Sequence, residues 1–397
     1  MNNASPLPSI WLLATIALAS PFAMNVFNPA MPDVVRAFGS RIDIVQLTMT
    51  LYLFALGISQ LLSGILADRF GRRPLMLGGM LLNLLGTLLA ALAPDIAVLI
   101  AGRVLQALGG GATLVLVRTM ILDAHERNEA GKLLSYITMA IAFAQITAPT
   151  IGGYLNHYFG WRTIFYFSFS LNLLISLLMF RQLRETAPPD QHTRFNLPKL
   201  LSQYLAVLNS PAYLGYALSG ALITCAYLGF TSIMPYIFID RMEGTSAEYG
   251  NWFLLIASGF FSGSLLASHL TTRLGLDRMI VTGLSIALLA ASILVIASTR
   301  DPLIAITLFL PMGMLTFGRG LVQPNTQSGA ISSISTISRS RGTASGLMGF
   351  MQLMLATAVT QSMPWILSLG VNWVFVTLWL LLILSGLFHR SALRQQR

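Results

Sequence analysis

The chain reads as long apolar runs separated by short polar breaks. A helix that crosses a bilayer needs about 20 apolar residues. Twelve runs approach or exceed that length: 10–31, 44–66, 74–93, 96–118, 131–154 and 163–181, then 212–238, 249–270, 279–298, 302–325, 343–366 and 371–388. They are continuous rather than alternating, which excludes a transmembrane β-barrel. The breaks are short except for residues 182–210, which carry Pro188, Pro189 and Pro198 among mixed charges. The pattern predicts a six-helix half over 1–181, a central loop over 182–210 and a second six-helix half over 211–397.

The polar breaks also set an orientation. Basic residues concentrate in cytoplasmic loops. With the N-terminus in the cytoplasm, Arg69, Arg72, Arg73, Arg127, Lys132 and the basic residues of 182–210 lie inside, while Arg36, Arg41, Arg162, Arg241 and Arg300 lie outside. Both termini and the central loop are therefore expected to be cytoplasmic. A weak internal repeat supports a duplication: Asp68-Arg69-Phe70-Gly71 follows the second run, and Thr272-Arg273-Leu274-Gly275 follows the eighth. Parallel repeats of this kind bind substrate between the halves.

Composition narrows the function. The chain is 55% hydrophobic and 10% charged, with a mean hydropathy of +0.72. Soluble proteins carry about 25% charged residues, so this one could not cover its own surface in water. A soluble enzyme, a DNA-binding domain and a disordered scaffold are excluded. The net charge of +10 sits between apolar runs, where it sets topology rather than binding nucleic acid. The lone Cys225 excludes a disulfide framework, and the five histidines fall at loops or run ends. No metal site or cofactor is expected, and the absence of a Walker loop argues against ATP as energy source. The first run is too long for a signal-peptide core and lacks a preceding basic residue.

Three segments carry chemistry. Gly64-Ile-Leu-Ala-Asp68-Arg69-Phe70-Gly71-Arg72-Arg73 joins the second and third runs. Gly64 is expected to admit a close helix, Gly71 to permit a tight turn, and Asp68 to need a basic partner. The fourth run carries Arg103 about a third of the way in, and an arginine in hydrocarbon is a functional candidate by default. The fifth run carries Ala144-Gln145-Ile-Thr-Ala148-Pro149-Thr-Ile-Gly152-Gly153, a proline-kinked stretch lined with small residues.

The first segment resembles the loop signature of the major facilitator superfamily, G-x-x-x-D-R-x-G-R-R. The resemblance implies an all-α integral membrane fold of twelve helices in two pseudo-symmetric halves, with alternating access. It makes the loop a charge relay that steadies the outward-facing state, pairs Asp123 with Arg72, and links Arg103 to proton coupling. The fifth run is similar to the antiporter motif G-x-x-x-G-P-x-x-G-G, with alanine at 144 and 148. Together with Pro29-Ala30-Met31-Pro32, Arg118, Asp123, Gly160-Trp161-Arg162 and Arg341-Gly342, these features resemble the bicyclomycin/chloramphenicol-resistance type of drug:proton antiporter.

One position departs from that branch. Asn25 stands where an aspartate is usual in the first helix, and an amide cannot carry a proton near neutral pH. Coupling is then expected to fall to Asp33, or to Asp123 with Arg103. A second arginine, Arg319, lies well inside the tenth run, in its cytoplasmic part. Two intramembrane arginines would favour anionic or neutral polar ligands over cations. The substrate-cavity candidates are Asn25, Asp33, Arg103, Gln145, Tyr227, Arg319 and Gln352. The reading is an exporter of small organic compounds by proton antiport, monomeric, in a bacterial cytoplasmic membrane. An exporter of an anionic or polar metabolite such as a siderophore or nucleoside, and a non-transporting membrane sensor, are the alternatives.

Overall fold

The computed structural model describes residues 9–124, 127–185, 197–300, 302–334 and 341–396. Inside its helices the side chains of a few residues, Asp68 and Asp123 among them, lie outside the described set. In chain order the helices are α1 (Ile10–Asn25), a 3-10 turn (Asn28–Ala30), α2 (Met31–Phe38), α3 (Ile42–Phe70), α4 (Arg72–Ala91), α5 (Ile96–Ala124), α6 (Arg127–Phe159) and α7 (Trp161–Gln182). There follow α8 (Leu197–Leu208), α9 (Pro211–Tyr236), a π turn (Ile237–Arg241), α10 (Ser246–Leu274), α11 (Leu276–Ala297), α12 (Ala305–Ser333), α13 (Arg341–Leu369) and α14 (Val371–Gln396). The chain divides into two compact units, Met1–Phe195 and Asn196–Arg397.

Among the described residues, ten helical segments are long and apolar enough to cross a membrane, with α1 and α2 counting as one span over Ile10–Phe38. The helices α6 and α13 complete two sets of six. They are as long as the others and carry polar groups along the span, Gln145, Thr147 and Asn156 on one, Gln352, Thr360 and Gln361 on the other. Large apolar side chains such as Leu81, Leu85, Phe143, Leu177, Leu289, Ile296 and Leu380 are exposed along the helices. That is the surface of a multi-pass protein solvated by lipid.

Three boundaries differ from the hydropathy pattern. The first run breaks at Asn25, because Pro29 has no N–H to give the Asn25 carbonyl and its ring clashes with it. The tenth run forms α12, which extends to Ser333 rather than 325, so Arg319 sits at the middle of that helix. The stretch Thr326–Ser333 is small and polar, which lowers hydropathy without stopping a helix. Within the segment read as a central loop, Leu197–Leu208 forms α8, which packs on α9 and α13 and buries Val207.

Each unit is organised around its fourth span. In the first, α5 packs against α3 and α4; in the second, α12 packs against α10 and α11. Lipid offers no hydrophobic drive between helices, so close backbone approach supplies the attraction. A Cβ on Gly86 would lie 2.3 Å from the Gln106 nitrogen, and one on Gly109 2.2 Å from the Gly79 oxygen. In the second unit a Cβ on Gly259 would lie 2.1 Å from the Gly313 oxygen, and one on Gly263 2.1 Å from the Phe317 oxygen. Gly64 is different: within its own unit a Cβ there meets nothing within 4 Å.

These contacts order two substitutions. Gly86→Leu is expected to lower stability by about 1–3 kcal/mol through overpacking, seen as a fall in the unfolding temperature of the detergent-purified protein. Gly64→Ala is expected to stay within about 0.5 kcal/mol of the parent. Equal effects of the two would show that the glycine contacts do not set the packing.

Candidate functional site

The site of the first unit is built where α1 stops. The last carbonyls of a helix have no intrahelical partner, and in an apolar span no water reaches them. Two of these carbonyls, and the amide of the last residue, find partners here. The Phe22 oxygen accepts from the Val26 N–H at 2.9 Å. The Ala23 oxygen accepts from Arg103 Nη1 at 3.0 Å. The Asn25 side chain folds back and donates to the Pro21 oxygen at 2.8 Å. On α6, Gly152 approaches so closely that a Cβ would lie 1.9 Å from the Val26 oxygen. One helical turn further along α6, Asn156 donates to Asp33 of α2, and Asp33 also holds Arg36 at 2.7 Å. Asn25, Arg103 and Gly152, read as parts of separate motifs, thus meet at one break.

Arg103 is 1% exposed. Burying a guanidinium costs several kcal/mol unless its hydrogens and charge are compensated. Here Nη1 also donates to Gln106 Oε1 at 2.5 Å. The guanidinium carbon lies 4.2 Å from the Tyr52 ring centre and 5.1 Å from that of Phe27, and desolvated cation–π contacts of this kind contribute about 2 kcal/mol. Gln106 in turn donates to Thr87 at 2.8 Å, Thr87 to the Asn83 carbonyl at 2.7 Å, and Asn83 to the Gln106 carbonyl at 2.9 Å. Asn172 of α7 donates to Asn83 at 2.8 Å. The arginine is therefore anchored in a buried network that crosses α1, α4, α5 and α7.

The arginine-rich turn between α3 and α4 has its own anchor. Gly71 adopts φ +91°, and a Cβ there would lie 2.7 Å from Glu185 Oε2. The two oxygens of Glu185 accept the backbone N–H groups of Arg72 and Arg73, each at 3.0 Å. A carboxylate at a helix N-terminus meets unpaired N–H groups and the positive end of the dipole. Arg72 is buried, Arg73 reaches the Phe180 carbonyl at 3.4 Å, and Arg69 lies over the Phe70 ring at 5.2 Å. Asp123 stands twenty residues beyond Arg103 on α5, about 30 Å along the axis, so the expected direct action of Asp123 on Arg103 is excluded by helix geometry.

The second unit repeats the plan. Gly275 adopts φ 86° and ψ 157°, against 91° and 161° at Gly71. Gly102 packs on Gly86 and Ala90; Gly318 packs on Gly283 and Ala287. The residue after each glycine is the buried arginine. Arg319 is 5% exposed, with its guanidinium carbon 4.2 Å from the Tyr227 ring centre and 4.6 Å from that of Phe260. The turn before α11 uses different groups: Tyr216 donates to Asp277 at 2.7 Å, and the buried His389 lies 3.8 Å from it.

The sequence profile of the Major Facilitator Superfamily matches residues 13–360. The chain belongs to the major facilitator superfamily. Among its relatives, Multidrug resistance protein D of Escherichia coli (strain K12) is 29% identical over 86% of this chain and 84% of its own length. The bicyclomycin resistance protein homolog of Haemophilus influenzae (strain ATCC 51907 / DSM 11121 / KW20 / Rd) is 24% identical over 86% and 84%. The crystal structure of a D-xylose-proton symporter matches with a TM-score of 0.78 at 17% identity, over 96% of each chain. The protein is a membrane transporter and not an enzyme.

Within this facilitator, Pro149 and Gly153 lie inside α6 beside the break, while Gln145 and Gln352 are half-buried without a hydrogen bond. The network residues Asn83, Thr87, Asn156, Asn172 and Glu185 escaped the sequence reading. Each is a common polar residue, and only its neighbours on other helices give it a role. For Glu185 a signal existed, an acid close after the sixth run in a molecule whose third run is preceded by three basic residues.

The network predicts a coupling. Gln106→Leu strips Arg103 of an acceptor and is expected to cost about 2–3 kcal/mol. In Arg103→Met/Gln106→Leu the charge is gone, and the coupling between the two sites is expected at about 1–3 kcal/mol. Unfolding of the three variants in detergent measures it; strict additivity would show that the two side chains act apart.

Proposed function

We propose that this facilitator exports small organic compounds across a bacterial cytoplasmic membrane by alternating access, in exchange for protons. The observation that carries the reading is the contact of Gly152 with the Val26 carbonyl. It seats the antiporter-like segment of α6 on the interruption of the first span. Discontinuous helices in transporters offer backbone polar groups to substrates and ions. The names of the two drug-resistance relatives point the same way. Asp33 is the proposed proton carrier, because it follows the break directly and its hydrogen bond to Asn156 ties it to α6. Protonation would weaken the Asp33–Arg36 pair and loosen α2 from α6. The cytoplasmic termini follow from the distribution of basic residues.

The test is accumulation of a compound panel that includes bicyclomycin in inverted membrane vesicles, with and without an acid-inside gradient. Accumulation is expected to rise with the gradient and to collapse when a proton ionophore dissipates it. The Asp33→Asn variant is expected to bind the same compounds and to lose gradient-driven accumulation. Uptake indifferent to the gradient would remove proton exchange, and gradient-driven uptake surviving Asp33→Asn would move the proton to another group.

A further inference from the structure

The two buried arginines sit at matching places but are not equally provided for. The shared glycine contacts fix the register. Gly102 and Gly318 correspond on the fourth spans, and Gly86 and Gly283 on the third. Three residues after Gly86's partner arginine Arg103 stands Gln106; three after Arg319 stands Val322. Thr87 corresponds to Leu284, and Asn83 to Ile280. Every polar residue that supports Arg103 from α4 and α5 is replaced by a buried aliphatic one, and Val322, Leu284 and Ile280 are 0%, 4% and 0% exposed.

The compensation of Arg319 is correspondingly thin. Its planar guanidinium faces the rings of Tyr227 and Phe260. Those rings, and a hydrogen bond to the Tyr227 hydroxyl, stabilise the charge, while the other N–H donors of the guanidinium point outward in its plane. Among the described residues no carboxylate lies within ion-pair distance of Arg319, and its Nε, like that of Arg103, has no hydrogen-bond partner. One turn along α12, on the same face, the buried Gln323 Oε1 also lacks a partner. A desolvated cation whose in-plane donors are only partly matched is costly. A carboxylate satisfies such a fork with two parallel hydrogen bonds.

We propose that Arg319 is the anion-recognition residue of this transporter. Tyr227, Phe260 and Gln323 complete a subsite in the second unit for an organic carboxylate with an apolar body. The carboxylate occupies the edge of the guanidinium, the apolar body lies among the aromatic rings, and Gln323 accepts from an N–H or O–H on the ligand. Arg103, by contrast, holds the helix break together and keeps its donors for Ala23 and Gln106. The proposal rests on the transport reading only for its purpose; the subsite itself is defined by binding.

The experiment uses the full chain in lipid nanodiscs and three probes that share one ring system: 2-naphthoate, neutral 2-naphthamide and cationic 2-naphthylmethylammonium. Equilibrium dialysis is expected to show naphthoate bound about tenfold or more tighter than the ammonium probe, the effect of one charge-assisted hydrogen bond. Arg319→Gln is expected to weaken naphthoate by a similar factor and to leave naphthamide unchanged. If Arg319→Gln does not fold, Val322→Gln/Leu284→Thr takes its place. That pair gives Arg319 the internal acceptor that Arg103 has, and is expected to weaken naphthoate several-fold. Equal affinity for the three probes, no measurable naphthoate binding, or naphthoate affinity indifferent to these variants overturns the proposal. Flux in proteoliposomes separates the two readings. Arg319-dependent binding without flux would defeat transport and leave the subsite; flux with no charge preference would defeat the subsite and leave transport.

Discussion

A helix that ends inside an apolar span leaves carbonyl oxygens that lipid cannot satisfy, and the first unit is arranged around that constraint. Pro29 ends α1 at Asn25. One open acceptor recruits a partner from another helix, Arg103 of α5 on the Ala23 oxygen, while the Asn25 amide folds back onto the Pro21 oxygen of its own helix. Gly152 of α6 fits against Val26 because it has no side chain. The broken span is thereby tied to α5, which carries Arg103, and to α6, which carries the small-residue segment around Pro149. A continuous helix would bury its own carbonyls and leave Arg103 without its backbone acceptor.

The cost of a buried charge then explains the difference between the halves. Around Arg103 the chain has invested in Gln106, Thr87, Asn83 and Asn172, all at most 1% exposed. Around Arg319 it has kept the aromatic pair and dropped the amides. The two arginines share a register and a glycine-backed helix contact, so the duplication preserved the position of the charge but not its internal support. A fully satisfied network rigidifies, whereas a cation with spare donors gains most when a ligand arrives. One fold thus holds the same residue type in two energetic situations.

The turn between α3 and α4 makes a similar point about helix ends. Its three arginines look, in sequence, like a demand for a carboxylate from the neighbouring aspartate. The geometry adds a nearer need, the unpaired N–H groups of Arg72 and Arg73, and Glu185 meets it from the end of α7. Gly71 is required twice, for its positive φ and for the space that Glu185 occupies.

The apolar pattern by itself determined the membrane class, the spans and the division into halves, because each follows from length and composition over about twenty residues; the family came from the resemblance of the motifs around Asp68 and Pro149. It also marked Arg103, Arg319, Gly71 and Gly152 as costly or permissive in place. It could not assign their partners. Asn83, Asn156, Asn172 and Glu185 lie 20 or more positions from the groups they serve, and no local pattern distinguishes them from helix-surface polar residues. Nor could it rank the two arginines, since burial cost depends on which donors find acceptors across helices. Only the tertiary structure decided that. It brought the Ala23 carbonyl to Arg103 and Thr87 to the Gln106 that supports it, and buried Val322 at the place that corresponds to Gln106 beside Arg319.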